Sequence, residues 1–217
     1  MTGDLFATDQ NEPWAESIGE GTVWLHGFAC ASANALMTAI AGIARQAPFR
    51  QMTTPGGFLM SAAMTNCGRL GWVTDRTGYR YSEVDPETGH PWPAMPECLM
   101  ALATSAAREA GYTGFVPDAC LINRYLPGSR MSLHQDKNEE DYSAPIVSVS
   151  LGLPMIFQFG GLTRKDKPAR LPLNHGDVVV WGGVDRLRYH GVSPLKPGHH
   201  ELVGECRINL TFRKAGA

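Results

Sequence analysis

Two side chains in the segment Leu133-His134-Gln135-Asp136 are of types that bind metal ions. His134 offers an imidazole and Asp136, two positions later, offers a carboxylate. Two histidines and one carboxylate on one face of an octahedral ion leave the opposite face open. Non-haem Fe(II) oxygenases bind a co-substrate and dioxygen at such a face. The pair therefore predicts a metal site if a second histidine joins it; alone, it is an ordinary surface pair.

Spacing does not decide which histidine completes the set. Both His175 and His190 follow segments of β type. His175 lies in an Asn-His-Gly-Asp turn sequence, where a histidine usually faces solvent, and His199 and His200 follow a Pro-Gly turn. His190 falls within the predicted strand 188–192, which favours it as the third ligand. A histidine within a strand can also be an ordinary core residue.

Two predicted strands have polar faces that could line one cavity. In the final strand, polar residues alternate with apolar ones, so that each type occupies one face. This polar face consists of Arg207, Asn209, Thr211 and Arg213, and Asn123 and Tyr125 share a face of an earlier strand. A guanidinium grips a carboxylate through two parallel hydrogen bonds, so two arginines six positions apart could hold a small dicarboxylate. The implied ligand is 2-oxoglutarate, unless the polar face is simply solvated.

Bulk properties limit the class of protein. The 217 residues, 43% of them hydrophobic, suffice for one large domain or two small ones. We expect no membrane span, because no apolar run is long enough, and no export signal, because the start lacks a positive segment followed by an apolar one. Five scattered cysteines without a C-x-x-C pair predict reduced thiols in the cytoplasm. With a formal charge of −2, the chain would need a local basic patch to bind a polyanion.

The pattern along the chain predicts a mainly β fold with two helices. Residues 1 to about 20 read as a loose leader packed by Leu5, Phe6 and Trp14, and a strand follows at 22–25. Helical periodicity runs from Ser32 to Pro48 and from Pro96 to Gly111. Beyond Asp118 come short β-type runs at 120–125, 146–153, 155–159, 171–173, 178–181, 188–192 and 206–212. We predict one α+β, mainly β domain over residues 1–217: a double-stranded β-helix, or jelly roll, with its core at about 118–213 and helices as buttresses.

Residues 50–95 combine turn-formers with aromatic side chains. An irregular connection of this length is functional or disordered, and its aromatic residues argue against disorder. Trp72, Tyr79 and Tyr81 could contact a ligand, or they could fill a small satellite core. Trp92, which is flanked by prolines, is expected to be structural.

Motifs along nearly the whole chain resemble one enzyme family. They are 48–52, 54–57, 63–68, 91–96, 117–125, 133–137, 145–154, 157–161, 175–183, 189–191 and 209–213. The last, Asn209-Leu210-Thr211-Phe212-Arg213, has the N-x-T-F-R pattern that is the signature of the AlkB family. The chain therefore resembles the Fe(II)/2-oxoglutarate dioxygenases that remove alkyl groups from nucleic-acid bases.

The resemblance implies a role for particular residues. It implies that His134, Asp136 and His190 bind Fe(II), and that Arg213 serves both the co-substrate and catalysis. The implied 2-oxoglutarate contacts are Asn123, Tyr125, Arg207, Asn209 and Arg213. A lid at about 50–81 would cover the site, with aromatic residues stacking on a flipped-out base. The implied substrate contacts are Trp72, Tyr79, Arg80, Tyr81, Asn138 and Arg164, the last in a basic loop that supplies the required patch.

The implied activity is oxidative dealkylation of N-alkylated bases with O2 and 2-oxoglutarate, the alkyl group leaving as an aldehyde. Alkylated single-stranded or duplex DNA is the expected substrate, with RNA as a further candidate, and we expect a cytoplasmic monomer. One alternative is a dioxygenase of the same fold that acts on a protein or a small molecule. Another is a cupin-like binding module with a structural metal.

One position departs from the family pattern. Bacterial members carry a carboxylate two positions after the metal-binding aspartate, where it contacts the damaged base, and this chain has Asn138. Because Glu139 and Glu140 follow, a shifted acid could substitute. The departure bears on lesion preference and leaves the predicted binding of iron and co-substrate unchanged.

Overall fold

The computed structural model describes residues 13–216 of the chain. Antiparallel strands are the commonest regular elements in it. In chain order the elements are β1 (Trp14–Gly19), β2 (Thr22–His26), α1 (Ala33–Gln46), β3 (Ala63–Gly68), β4 (Gly71–Asp75), β5 (Gly78–Ser82), α2 (Glu97–Glu109), β6 (Ala119–Tyr125), β7 (Met131–His134), β8 (Ile146–Gly152), β9 (Met155–Phe159), β10 (Ala169–Leu173), β11 (Val178–Trp181), β12 (His190–Val192) and β13 (Arg207–Arg213).

The strands form a large sheet, a small sheet and a separate hairpin. The seven-stranded sheet has the order β1-β2-β11-β8-β13-β6-β3, and the four-stranded sheet has the order β10-β9-β12-β7. Strands β4 and β5 make the hairpin. Apart from the β1–β2 and β9–β10 pairs, neighbouring strands in these two sheets are distant in sequence, as in a jelly roll. The predicted double-stranded β-helix is confirmed.

Both helices pack on one face of the seven-stranded sheet. The buried side chains Leu36, Ile40 and Ile43 of α1 recur at helical spacing and join the same apolar cluster as Leu99 of α2. Helix α1 ends where the sequence predicts, because the proline after Ala47 disfavours helical backbone at that residue, which is extended. The helices therefore support the sheet from the side opposite the polar faces of β6 and β13.

A second apolar cluster joins the inner faces of the two sheets. Phe157 and Phe159 of the small sheet pack with Trp181 of the large one, at ring-centroid distances of 6.0 and 6.1 Å from the tryptophan. Aromatic side chains bury much apolar area, so this packing fixes the position of β9, the strand that pairs with β12. This cluster forms one wall of the space between the sheets.

The N-terminal half contributes more strand than its pattern predicts. Residues 14–19 form the edge strand β1, where we expected loose structure, and Leu5 and Phe6 lie outside the described residues. Strand β1 escapes prediction because it is mostly exposed and shows no alternation. Among residues 13–216, no helix combines the length and the apolar character needed to span a membrane.

Candidate metal and co-substrate site

Two paired strands bring the three predicted metal ligands together. His134 ends β7 and His190 begins β12, and these two residues are direct partners in the antiparallel pairing. Asp136 follows two positions after His134. Its carboxylate oxygens lie 3.7 Å from Nε2 of each histidine, and the ligand atoms of all three residues lie within 4.8 Å of one another. This is a suitable donor set for a divalent cation with one open face.

The structure places the two candidate histidines differently. His190 is buried beside His134, with ring centroids 4.4 Å apart. His175 stacks instead on His200, and its Nδ1 accepts a hydrogen bond from the Gly152 amide at 3.0 Å. The third ligand atom is therefore offered by His190, as strand periodicity favoured.

Backbone carbonyls orient both ligating imidazoles. Nδ1 of His134 lies 2.9 Å from the Ser132 carbonyl oxygen, and Nδ1 of His190 lies 3.1 Å from that of Arg188. Because a carbonyl only accepts, each Nδ1 carries the proton and each Nε2 is free to bind a metal. Burial, with the neighbouring His134 imidazole, lowers the pKa of His190 to about 4. His190 thus stays in the neutral form that ligates.

An arginine holds the ligating carboxylate. Nε and NH2 of Arg213 donate to Oδ2 of Asp136 at 2.9 and 2.6 Å. Burial alone would raise the pKa of Asp136, but the charge of Arg213 holds it well below its usual range. The carboxylate therefore stays ionised and fixed in one orientation.

A glycine next to His190 permits the close approach of β7 and β12. A Cβ atom added at Gly191 would lie 2.6 Å from the carbonyl oxygen of Met131, closer than real Cβ atoms approach. Only glycine fits there without a shift of the backbone. The Tyr-His-Gly motif thus has a physical basis, since the glycine lets the two histidines meet.

A cavity of about 820 Å³ opens above the metal ligands and is lined by the polar faces of β6 and β13. Arg207 is only 1% exposed, and its NH2 donates to Oγ of Ser150 at 2.9 Å. Within residues 13–216, its Nε and NH1 have no hydrogen-bond partner, and neither has Oδ1 of Asn123. A buried guanidinium with two unsatisfied donors is costly unless an anion binds it. The cavity therefore fits a carboxylate at Arg207.

Arg213 and Asn209 complete the polar wall. With two of its nitrogens on Asp136, Arg213 has only NH1 without a partner among the described residues. Asn209 donates to Oγ of Ser148 at 2.8 Å and accepts from Oγ1 of Thr211 at 3.0 Å. The Tyr125 ring packs against the Arg207 guanidinium, whose Cζ lies 5.4 Å from the ring centroid. Burial raises the pKa of Tyr125 to about 12. This wall and the donor set below it fit 2-oxoglutarate and a divalent iron ion.

The rim of the same cavity is aromatic and basic. The rings of Trp72 and Tyr79 are stacked with centroids 5.7 Å apart, and Nε1 of Trp72 donates to Oδ1 of Asn138 at 3.2 Å. Arg164 lies over the ring of Tyr189 at 5.8 Å. These side chains line the cavity mouth, so a planar group entering toward the metal ligands would meet them.

Two residues predicted to contact substrate point elsewhere. Arg80 pairs with Asp75 at 2.7 Å within the β4–β5 hairpin, and Tyr81 donates to Oε1 of Glu139 at 2.6 Å. In the part of the chain that the structure describes, neither lines the cavity. Their side chains organise the hairpin and its contact with the loop that follows β7.

The sequence reasoning missed one residue close to the metal ligands. Arg186 is 3% exposed, and its NH1 donates to the backbone carbonyl of Asp136 at 2.8 Å. It follows a short 3-10 turn, Gly183–Asp185, fifty positions away in the chain, where no periodicity marks it. Only the tertiary structure reveals this contact.

Comparisons with known proteins agree with the geometry. The family model described as the 2OG-Fe(II) oxygenase superfamily matches residues 21–213. The chain is 62% identical over 213 residues to the alpha-ketoglutarate-dependent dioxygenase AlkB of Escherichia coli (strain K12), covering 98% of each chain. It is 35% identical to the nucleic acid dioxygenase ALKBH1 of Mus musculus, over 64% of this chain and 34% of that one. The solved structure of OsALKBH1 superposes with a TM-score of 0.82 at 27% identity, covering 93% of this chain and all of the other.

Proposed function

We propose that this chain, which belongs to the 2OG-Fe(II) oxygenase superfamily, removes alkyl groups from ring nitrogens of nucleic-acid bases by oxidising the alkyl carbon. It is a dioxygenase that uses Fe(II), 2-oxoglutarate and O2. The observation that carries the proposal is the position of the Trp72–Tyr79 stack and Arg164 at the mouth of the cavity whose floor holds His134, Asp136 and His190.

The floor residues hold and orient the reacting groups. His134, Asp136 and His190 would bind Fe(II) through two imidazole nitrogens and a carboxylate oxygen. Arg207 and the free amino group of Arg213 would bind the carboxylates of 2-oxoglutarate, and Asn123 would complete the contacts. When bound, Fe(II) supplies the chemistry by which O2 converts 2-oxoglutarate to succinate and CO2 and hydroxylates the alkyl carbon.

The rim residues select and hold the base. A damaged base inside a duplex cannot reach the floor, so it must be flipped out or presented by a single strand. Trp72 would stack on its face and Arg164 would attract neighbouring phosphates. The hydroxylated alkyl group leaves as an aldehyde and restores the base. The lesion is thus repaired by direct reversal, without strand cleavage.

The test is incubation with Fe(II), 2-oxoglutarate, O2 and an oligonucleotide that carries one N1-methyladenine, read by mass. We expect the mass to fall by one methylene and succinate to appear with it. The unmethylated oligonucleotide is the control. Succinate formation that no methylated DNA or RNA oligonucleotide stimulates would contradict a nucleic-acid substrate and favour a protein or small-molecule substrate.

We further propose that the enzyme acts in the cytoplasm as a monomer, on DNA and also on RNA. Free thiols at all five cysteines, including Cys67 and Cys120, which face each other across β3 and β6, support a reducing compartment. Light scattering of the purified protein tests the oligomeric state. Matched DNA and RNA oligonucleotides with the same lesion test the range of substrates.

A further inference from the structure

A buried ionic cluster lies beside Asp136 and outside the ligand set. It consists of Glu139, Arg186 and Arg213, whose side chains are 2, 3 and 6% exposed. Charges this deeply buried are costly unless each has a partner in good geometry, and removing one partner leaves an uncompensated charge. The arrangement of these three side chains is therefore constrained by their mutual contacts.

The two arginines hold Asp136 at both of its ends. Arg213 donates twice to the Asp136 carboxylate, and NH1 of Arg186 donates to the Asp136 backbone carbonyl. The same arginines also face Glu139. Nε of Arg213 lies 3.4 Å from Oε1 of Glu139, and NH2 of Arg186 lies 3.1 Å from Oε2. One carboxylate is thus shared by both groups that fix the metal ligand.

A fourth contact links this cluster to the hairpin at the rim. The Tyr81 hydroxyl in β5 donates to Oε1 of Glu139 at 2.6 Å. Burial, with the neighbouring charges of Glu139 and Asp136, raises the pKa of Tyr81 well above its ordinary value, so the phenol keeps its proton. A continuous set of hydrogen bonds and ion pairs therefore runs from the β4–β5 hairpin to the carboxylate that ligates the metal.

We propose that Glu139 is a positioning residue for the metal centre, which holds Arg186 and Arg213 on Asp136 and ties them to the hairpin through Tyr81. The inference deepens the proposed function by assigning the support of its metal site, and it does not depend on which substrate is oxidised. The proposal also explains why the Glu139 carboxylate is buried beside the metal ligands although Glu139 does not line the cavity.

The physical reason lies in the charge balance. Without a metal, the carboxylates of Asp136 and Glu139 balance the guanidinium groups of Arg186 and Arg213. If Glu139 loses its charge, the Arg213 guanidinium interacts with Asp136 alone and competes with the cation for the carboxylate oxygens of Asp136. One positive charge then stays uncompensated beside the site. Partners of ligating groups typically contribute about 10–100-fold to metal affinity. We expect a loss in that range.

The first experiment measures metal binding by the apoprotein, without 2-oxoglutarate or oligonucleotide. Co(II) is titrated into the parent, Glu139→Gln and the matched control Glu140→Gln, whose side chain is on the exposed neighbour. Calorimetry gives the affinity and the Co(II) absorption spectrum reports the ligand geometry. We expect Glu139→Gln to bind at least ~10-fold more weakly with an altered spectrum, and Glu140→Gln to match the parent.

Equal affinity and an identical spectrum in folded Glu139→Gln would overturn the proposal. If that variant does not fold, Tyr81→Phe decides, because it removes one hydrogen-bond donor and leaves all four charges. We expect Tyr81→Phe to bind Co(II) about 2–5-fold more weakly, the size of one lost hydrogen bond, while the circular dichroism of the metal-free protein stays parental. If Glu139→Gln does not fold, parental affinity in Tyr81→Phe would overturn the proposal; if it folds, that result would contradict only the link to the hairpin. A protein that binds Co(II) as expected but dealkylates no oligonucleotide would refute only the proposed function.

Discussion

The floor and the rim of the cavity are built in different ways. Most floor residues sit on β6, β12 and β13, which lie inside the sheets, while His134 ends the edge strand β7 and Asp136 follows it; every residue of β13 is buried. The rim consists of the β4–β5 hairpin and exposed loops. Its Tyr79 is 48% exposed, and Phe58, which also lines the cavity, is 76% exposed. Rigid central strands hold groups within the small tolerances that ligation demands, whereas exposed elements can adapt to different bases. The difference suggests that changes at the floor will be severe and uniform, and changes at the rim graded and selective.

The largest effect should follow loss of a metal ligand. Alanine at His134, Asp136 or His190 should abolish turnover, because two remaining ligands cannot hold the ion with one face open. Metal content and succinate formation are measured together, with circular dichroism to confirm the fold. His175→Ala is the matched control and should retain both. Loss of iron in the His175 variant, with retention in His190→Ala, would contradict the assignment of the third ligand.

A smaller but still large effect should follow a change in the guanidinium that faces the cavity. Arg207→Lys replaces a planar fork by a point charge, which cannot make two parallel hydrogen bonds to a carboxylate. An under-satisfied buried carboxylate should cost about 2–3 kcal/mol, or ~30–150-fold in the Michaelis constant for 2-oxoglutarate. Steady-state kinetics at saturating oligonucleotide measure it.

The variant Arg213→Lys distinguishes the roles of the two floor arginines, Arg207 and Arg213. Because Arg213 directs two nitrogens at Asp136, we expect this variant to lose metal affinity as well as affinity for 2-oxoglutarate. Arg207→Lys should leave Co(II) binding unchanged. If the Michaelis constant stays at the parental value in Arg207→Lys, the carboxylate contact lies elsewhere.

The same division between floor and rim explains what the sequence could predict. The floor could be predicted because successive side chains of a strand point to opposite faces. Arg207, Asn209 and Arg213 therefore share one face of β13 by their spacing alone. Metal ligands at positions 134 and 136 are close in sequence. Helix α1 ends just before Pro48, which acts through local sterics on the residue that precedes it.

What the sequence could not predict depends on contacts between distant segments. Arg186 reaches the Asp136 carbonyl across fifty positions, and Tyr81 reaches Glu139 across fifty-eight, so neither pattern nor spacing marks them. The strand β7 was not predicted, because its four residues are too few to give a clear periodicity. Where packing rather than local propensity decides, the resemblance to a family supplied roles and the structure supplied the contacts.

At the rim, removal of the stacking ring should weaken all substrates alike. Trp72→Ala should lower catalytic efficiency by the value of one base–aromatic contact, about 1–3 kcal/mol, because every base offers a π-face. The Michaelis constant for 2-oxoglutarate should not change. Trp72→Phe keeps a ring and loses only the indole N–H to Asn138, so it should retain most of the efficiency. A Trp72→Ala variant that loses activity on one lesion alone would contradict uniform stacking.

The smallest and most selective effect is expected at Asn138. Its Oδ1 accepts from the Trp72 indole at 3.2 Å, and an aspartate could keep that bond while adding a negative charge at the cavity mouth. N1-methyladenine and N3-methylcytosine carry a positive charge, whereas N1-methylguanine is neutral. Asn138→Asp should therefore raise the preference for cationic lesions. Because the position is exposed, screening limits the gain to about 1 kcal/mol, or ~5-fold in the ratio of catalytic efficiencies.

Glu139 provides the control for this prediction, since it is the next acid along the chain. Its carboxylate is buried against Arg186 and Arg213 and bonded to Tyr81, so it has no free charge to offer a base. Glu139→Gln should accordingly slow the reaction on cationic and neutral lesions by the same factor, through the metal site. If the ratio is unchanged in Asn138→Asp but collapses in Glu139→Gln, then Glu139 acts on the base, and the separation of floor from rim fails at this residue.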